Sequence, residues 1–126
     1  MTAEVKRYLR KAEHALEVAE ALMKVGHSPD AASKVYYAMF YAAQALLKSE
    51  GIDVVKHSAV ESAFGHHFAK PGKINPKYHR MLIDARKIRE IADYDIEEEV
   101  VQPVASLKIE EGKAFVHEVN KLLEED

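Results

Sequence analysis

The chain has 126 residues, of which 48% are hydrophobic, and a formal net charge of −3. This length predicts a single domain over residues 1–126, with a core of its own. The acidic balance argues against a protein that coats nucleic acid through bulk positive charge. The chain contains no cysteine, which excludes disulfides and thiolate metal sites.

Charge is distributed unevenly along the chain. Residues 66–89 carry seven lysines and arginines against one aspartate, whereas residues 90–126 carry twelve acidic residues against three lysines. This asymmetry suits pairing with a second copy of the chain, or phosphate binding on the basic segment. No apolar stretch approaches the ~20 residues that cross a bilayer, and the first ten residues do not resemble a signal peptide. We therefore expect a cytoplasmic protein that does not engage a membrane.

Glycine, proline and capping residues divide the chain into five helices and leave no room for a sheet. Short connections favour antiparallel neighbours, so the predicted fold is an all-α, up-and-down antiparallel bundle of four long helices plus one shorter helix. The predicted helices run from Ala3 to Val25 before Gly26, from Ser28-Pro29 to Gly51, from a capping box at Ser58 and Glu61 to Pro71-Gly72, from Asn75-Pro76 to Tyr94, and from Pro103 onward.

The second helix carries four of the ten aromatic residues of the chain. Rings around the circumference of one helix require either cover on several faces or a site that uses the rings. Its broad apolar side predicts core contact by Val35, Tyr36, Met39, Phe40, Ala43, Leu46 and Leu47. The other side forms a seam that is either a solvated face or a partner or ligand groove: Asp30, Lys34, Tyr37, Tyr41, Gln44 and Lys48.

The inward faces of the last two helices are predicted from the spacing of their apolar residues. Gly112, inside the fifth helix, is interpreted as a weak point that costs up to about 1 kcal/mol relative to alanine. The inward positions predicted for the fourth helix are Tyr78, Met81, Leu82, Ala85, Ile88 and Ala92, and those for the fifth are Val104, Leu107, Ala114, Phe115, Val119 and Leu122.

A second chemically marked stretch lies near the end of the fourth helix. Arg86, Arg89 and Asp93 are spaced by three and four residues and share one face. One interpretation is a surface ion pair between Arg89 and Asp93, with Tyr94 packed on the end of the bundle. The other is a phosphate fork formed by the two arginines and oriented by Asp93, because guanidinium geometry suits bidentate phosphate contact.

Three motifs in the chain form a recognisable set: Ser33-Lys34-x-Tyr36-Tyr37-Ala38-Met39-Phe40-Tyr41-Ala42-Ala43, His57-Ser58 with Phe64 and Phe68, and Arg89-x-x-Ala92-Asp93-Tyr94-Asp95. Together they resemble the HEPN superfamily across nearly the whole chain. The resemblance is closest to small stand-alone HEPN proteins often encoded beside a minimal nucleotidyltransferase. It implies a helical bundle that dimerises and a role in nucleotide or RNA biology, often as half of a toxin and antitoxin pair.

The chain departs from the ribonuclease branch of that superfamily, in which a histidine follows an arginine after some four to six residues. At that spacing from Arg86 or Arg89, residues 91–96 contain no histidine. Arg7 and His14 have the spacing but belong to the first helix, where the match is interpreted as a coincidence. That branch also usually has arginine at the position of Lys34.

The sequence therefore predicts the helical partner of a minimal nucleotidyltransferase, in a toxin-antitoxin-like or nucleotide-binding two-component system. The alternatives are a metal-independent ribonuclease toxin with an atypical site and a purely structural bundle. The expected partners are a second copy of the chain, a nucleotidyltransferase-domain protein, and a nucleotide or RNA; no cofactor and no metal are expected. Candidate nucleotide, phosphate or partner-binding residues are Lys34, Tyr37, Tyr41, Arg86, Arg89, Asp93 and Tyr94, with His57 as a further candidate.

Overall fold

The computed structural model describes residues 1–125. Every regular element within that range is helical, which confirms the predicted all-α class with four long helices and one shorter helix. In the same range, no helix has an apolar stretch long enough to cross a bilayer. The elements are α1 (Ala3–Lys24), α2 (Ser28–Ser49), α3 (His57–Phe64), a π-helical turn that extends α3 (Gly65–Ala69), α4 (Pro76–Tyr94) and α5 (Gln102–Glu124).

Gly26 and Gly51 end the first two helices, as predicted. Both adopt a positive φ, 85° and 72°, which glycine reaches without strain. Beyond Gly26, the backbone N–H of His27 donates to the carbonyl of Leu22 over 2.9 Å, and the chain after Gly51 closes in the same way. These bonds satisfy carbonyls at the helix ends and allow the chain to reverse direction.

The start of α4 matches the prediction, whereas the start of α3 does not. The side-chain oxygen of Asn75 accepts from the backbone N–H of Lys77 over 2.9 Å and caps α4. Helix α3 begins at His57, one residue before the predicted capping serine, and its N-terminus has no side-chain cap. Glu61, the expected partner of that serine, instead accepts from Arg86 of α4 over 2.8 Å. A tertiary ion pair thus replaces the local capping box.

Helix α2 lies at the centre of the bundle and contacts α1, α3, α4 and α5. Lys48, near its end, pairs with Glu4 at the start of α1, and Ser33, near its beginning, bonds Asp93 near the end of α4. Helices α1 and α4 therefore run antiparallel to α2. The end of α5 meets the start of α1, so α5 is antiparallel to α1. These directions confirm the up-and-down order.

The apolar side predicted for α2 is buried, since each of its seven residues is at most 6% exposed. Beyond it, Phe64 and Phe115 are fully buried, with ring centroids 5.5 Å apart, and Tyr78 packs edge-on against Phe115. Of the six inward positions predicted for α4, three are buried and the other three are partly exposed. Of the two alternatives for a helix with rings on several sides, cover by several neighbours holds for α2, which contacts α1, α3, α4 and α5.

The face of α5 that meets the core differs from the predicted one. Leu107 and Ala114, both predicted inward, are exposed, whereas Phe115 and Val119 are buried as predicted. Gly112 also lies in the buried stripe, where it packs against Leu16 of α1 and Val35 of α2. The prediction failed because the apolar residues of α5 have helical spacing on two neighbouring faces, and spacing alone does not decide which face is buried. The buried residues of α5 are Ala105, Ile109, Gly112, Phe115, Val116, Val119 and Leu123.

Candidate functional site

Segments that lie far apart in the sequence meet around the guanidinium of Arg89 on α4. Its central carbon lies 5.3 Å from the ring centroid of Tyr36 and 5.7 Å from that of Tyr37, both on α2, and 5.8 Å from that of Tyr94. These distances fall within the ~6 Å range of cation–π attraction. We call the following residues the Arg89 cluster: Ser33, Tyr36, Tyr37, His57, Arg89, Asp93 and Tyr94.

Asp93 supplies the carboxylate of the Arg89 cluster. Its Oδ2 accepts from Arg89 Nη1 over 3.5 Å and from the hydroxyl of Ser33 over 3.3 Å. Both distances are at the long end for hydrogen bonds, so these contacts are weak. Within residues 1–125, Arg89 Nε is the one buried side-chain nitrogen or oxygen that has no hydrogen-bond partner. The guanidinium is therefore surrounded by rings, held by one weak contact with Asp93, and has no acceptor at Nε.

His57, the first residue of α3, joins the cluster through Tyr36. Its Nδ1 and the hydroxyl of Tyr36 share a hydrogen bond of 2.8 Å, and its ring stacks on Phe40 with centroids 4.2 Å apart. Burial, and then the positive charge of Arg89, lower the pKa of His57 below its usual 6.5. Burial raises the pKa of Tyr36 to about 12. Near neutral pH both side chains are therefore uncharged.

The lowered pKa of His57 predicts a pH dependence of stability. As the pH falls through 6.5, His57 of the unfolded chain takes up a proton before His57 of the folded chain does, so stability is lost between 6.5 and the lower folded pKa. We expect the free energy of unfolding to fall on acidification across this interval, and to fall less in His57→Gln. Urea unfolding of both proteins at each pH measures the difference. Equal losses would contradict the assignment.

Lys34, Tyr37 and Tyr41 of α2 face α1 across an open cleft of about 740 Å³, which we call the α1/α2 cleft. The ring centroids of Tyr37 and Tyr41 are 6.3 Å apart, and Lys11 Nζ lies 5.1 Å from the Tyr41 centroid. Since Tyr37 also contacts Arg89, the cleft adjoins the Arg89 cluster. The α1 wall of the cleft is formed by Arg7, Arg10, Lys11, His14, Ala15 and Val18.

The seam predicted along α2 is not one uniform face. Gln44 is only 6% exposed, and its amide donates to the carbonyl of Val54 over 3.4 Å. Lys48 pairs with Glu4 and with Asp53. The C-terminal part of the seam is therefore used in contacts with α1 and with the segment between α2 and α3, and its middle part is left to line the cleft.

Arg86 and Arg89 have separate partners. Arg86 Nε donates to Glu61 over 2.8 Å, and its Nη1 donates to Glu90 over 3.1 Å. A phosphate fork formed by both arginines, which stays a prediction, would require Arg86 to leave these two carboxylates. The ion pair of Arg89 with Asp93 is present. Tyr94 does not pack on the end of the bundle, because it is 73% exposed.

The model of the HEPN domain family matches residues 5–125, nearly the whole chain. The chain belongs to the HEPN family. A protein named "Putative toxin" from Methanocaldococcus jannaschii is 32% identical over 120 residues, which cover 95% of this chain and 82% of that protein. A protein named "UPF0332 protein" from Thermotoga maritima is 31% identical over 125 residues (96% and 92%). Another of that name from Pyrococcus horikoshii is 36% identical over 104 residues (82% and 73%).

The HEPN motifs that are separate in the sequence are adjacent in the fold. The motif on α2 supplies Tyr36 and Tyr37, the motif at the start of α3 supplies His57, and the motif on α4 supplies Arg89 and Asp93. Each motif alone supplies only some of the residues of the Arg89 cluster. Their convergence on one guanidinium makes this the candidate functional site of the HEPN domain.

Sequence reasoning assigned no role to the basic side chains that α1 contributes to the cleft: it set Arg7 and His14 aside as a coincidence and did not consider Arg10 and Lys11. Their spacing of three, one and three residues was the available signal, because it places Arg7, Arg10, Lys11 and His14 on one helix face. The sequence does not show that this face meets the tyrosines of α2.

In the part of the HEPN chain that the structure describes, no group of three or more histidine, aspartate or glutamate side chains is arranged to hold a metal ion.

Proposed function

We propose that this HEPN protein is the toxin-like helical component of a two-component system whose other component carries a nucleotidyltransferase domain. It acts in the cytoplasm as a homodimer. It binds its partner, or a nucleotide or RNA, through the Arg89 cluster and the adjoining cleft. The residues proposed for these contacts are Lys34, Tyr37, Tyr41, Arg86, Arg89, Asp93 and Tyr94.

The observation that carries this proposal is the incompletely satisfied guanidinium of Arg89. A buried donor without an acceptor costs about 1–3 kcal/mol, and unsatisfied groups of this kind are found at functional sites. Tyr94 beside it is 73% exposed, and Ile96 is 98% exposed. Arginine and tyrosine next to an exposed apolar side chain are typical of residues that dominate binding energy. The word toxin in the names of two relatives supports the toxin-like class.

The partnership is tested by a pull-down with the nucleotidyltransferase-domain protein encoded beside this gene in its native host. We expect the wild type to retain that protein and Tyr94→Ala to weaken binding by about tenfold or more, as for an aromatic anchor. Leu107→Ala is a matched control, because Leu107 is a large apolar residue that is 57% exposed on α5. The absence of such a gene neighbour, or equal retention by both variants, would contradict the proposal.

A metal-independent ribonuclease is a second candidate, and the position of His57 favours it. The usual histidine is missing near Arg89 in the sequence, yet the fold brings His57 into the Arg89 cluster. A neutral imidazole accepts a proton from a ribose hydroxyl, while a guanidinium holds the phosphate. The tautomer with its proton on Nδ1 donates to Tyr36 and leaves Nε2 as the base.

RNA cleavage in the presence of EDTA tests the ribonuclease candidate. We expect His57→Asn and Arg89→Ala to reduce cleavage about 100-fold or more, since a general base contributes at least that much. Arg80→Ala serves as a control, because Arg80 is an exposed arginine on the same helix. If the wild type leaves RNA intact with and without divalent ions, the ribonuclease candidate is wrong.

A further inference from the structure

Helix α3 brings His57 to the Arg89 cluster, but the first turn of this short helix has no local support. No side chain caps its N-terminus. The two residues before it, Val55 and Lys56, are both exposed. A helix end that lacks a cap depends on contacts with neighbouring elements. The position of His57 is therefore set by the way in which α3 is attached to the other helices.

Two residues of α3 form all of its hydrogen bonds with other helices within residues 1–125. His57 bonds the hydroxyl of Tyr36 through Nδ1, and the carboxylate of Glu61 accepts from Arg86 Nε over 2.8 Å. The backbone carbonyl of Glu61 also accepts from Nε2 of His79 over 2.9 Å. Because His57 and Glu61 are four residues apart, they share one face of α3. The same side of the helix thus contacts Tyr36 and is attached to α4.

The apolar contacts of α3 leave its rotation to these polar contacts. Val60 and Phe64 are both 0% exposed and bury the helix in the core. Hydrophobic contact is non-directional, so it determines how deeply α3 is buried. A hydrogen-bonded ion pair, in contrast, has a defined distance and angle. Since the side chains of Glu61 and Arg86 are only 22% and 29% exposed, solvent screens their attraction less than that of a fully exposed pair.

The ion pair also acts electrostatically on the hydroxyl that bonds His57. Burial raises the pKa of Tyr36 to about 12. Of the charged groups around this hydroxyl, Arg89 and Arg86 lower its pKa, whereas Glu61 raises it. A charge affects the pKa of another group only when it lies nearby. Glu61 and Arg86 therefore belong to the immediate surroundings of the Arg89 cluster, although the cluster as defined does not include them.

From these observations we infer that Glu61 is a positioning residue of the Arg89 cluster. Through its ion pair with Arg86, it ties the first turns of α3 to α4 and so holds His57 against Tyr36. The inference deepens the proposed function, because it rests on the Arg89 cluster as the functional site. It gives a role to a residue that belongs neither to the proposed contacts nor to the HEPN motifs.

The ring of His57 provides a direct readout of its own position. It stacks on Phe40 with centroids 4.2 Å apart, so the ring current of Phe40 shifts its NMR signal away from that of an exposed histidine. The chain has seven histidines, and the spectrum of His57→Gln identifies the signal of His57. The same signal followed against pH gives the pKa of His57, which burial and then the charge of Arg89 hold below the usual 6.5.

Glu61→Ala in the full-length protein is expected to move this signal most of the way towards that of an exposed histidine. The pKa of His57 should rise towards its usual value as burial is lost. The backbone bond from His79 remains, so the variant removes the ion pair alone. Arg86→Ala should give the same result, and the double variant no more than either single one, because the two residues act as a pair.

Two further variants control for charge and for folding. Glu90 also accepts from Arg86, over 3.1 Å, but both residues belong to α4, so Glu90→Ala leaves α3 attached and should keep the wild-type signal and pKa of His57. Glu61→Gln retains an acceptor for Arg86 and should give a smaller change than Glu61→Ala. Circular dichroism verifies folding, and Glu61→Gln takes the place of Glu61→Ala if the latter does not fold.

Three spectroscopic outcomes would overturn the inference. An unchanged signal and pKa of His57 in Glu61→Ala would show that the apolar contacts of α3 are sufficient. An equal change in Glu90→Ala would assign the effect to the charge of Arg86 rather than to the attachment of α3. A larger change in the double variant than in either single variant would show that Glu61 does not act through Arg86.

The functional consequence is measured separately. If the wild type cleaves RNA, Glu61→Ala is expected to reduce cleavage about tenfold or more, because a displaced base loses its alignment with the reacting atoms. Wild-type cleavage by a Glu61→Ala protein whose His57 signal has moved would overturn the positioning role. The NMR measurements need neither RNA nor a partner protein, so failure of this inference and failure of the proposed function are distinguishable.

Discussion

Gly112→Leu is expected to lower the free energy of unfolding by about 3 kcal/mol or more, because α5 has no room for a side chain at this position. A Cβ atom added to Gly112 would lie 2.9 Å from Val35 Cγ1 and 3.0 Å from Leu16 Cδ2. Val35 is β-branched and 0% exposed, so it has no alternative position. Leucine would therefore force α5 away from α1 and α2. Denaturant unfolding measures the loss.

Two further variants separate packing from helix propensity. Alanine in place of a helical glycine favours the helix by about 1 kcal/mol, so propensity alone predicts that Gly112→Ala is stabilising. The close contacts predict that it is destabilising. Ala114→Leu is the control, since Ala114 is exposed two residues further along α5 and should change stability by less than about 0.5 kcal/mol. A Gly112→Ala protein more stable than the wild type would contradict this packing.

Arg89→Ala is expected to abolish the proposed toxin-like activity and to weaken partner binding by about 30-fold or more. The variant removes the group on which Tyr36, Tyr37 and Asp93 converge. The loss of its cation–π contacts should lower the free energy of unfolding by only about 1–2 kcal/mol. Growth arrest on induced expression and partner retention in a pull-down measure the functional loss, and thermal unfolding measures the structural one.

Arg89→Lys and Arg80→Ala are the controls for that prediction. Lysine keeps the charge beside Asp93 but lacks the flat guanidinium that packs among rings, so we expect an intermediate loss with the fold preserved. Arg80 is exposed on the same helix, and its removal should leave growth arrest intact. Growth arrest by Arg89→Ala equal to that of the wild type would show that Arg89 is not the functional centre.

Local chemistry predicted much of the fold. The glycine stops at Gly26 and Gly51 and the cap at Asn75 have the predicted roles, because such signals act within a few residues of the helix end. All seven residues predicted for the apolar side of α2 are buried, because their spacing forms one continuous apolar face. The membership of the HEPN family was also readable, because each of its three motifs lies within a short stretch of the chain.

Predictions that depended on a choice between neighbouring faces were less successful. On α5, Leu107 is exposed although it was predicted inward, and Gly112, which was interpreted only as a weak point, lies against Val35 and Leu16, where a larger residue would clash. At α3, Glu61 accepts a hydrogen bond from Arg86 instead of taking part in the predicted capping box, because α4 lies beside it. Both outcomes depend on which helix packs alongside, and local propensity contains no such information.

The sequence by itself determined the helices, their order and the HEPN motifs, since these follow from side-chain chemistry at short range along the chain. Only the tertiary structure decided that Tyr36, His57 and Arg89 share one cluster, and that the basic face of α1 is placed opposite Tyr37 and Tyr41. The physical reason is that a helix fixes the direction of its own side chains but not the identity of its neighbours. Burial of all the apolar faces at once selects those neighbours, and with them the composition of the site.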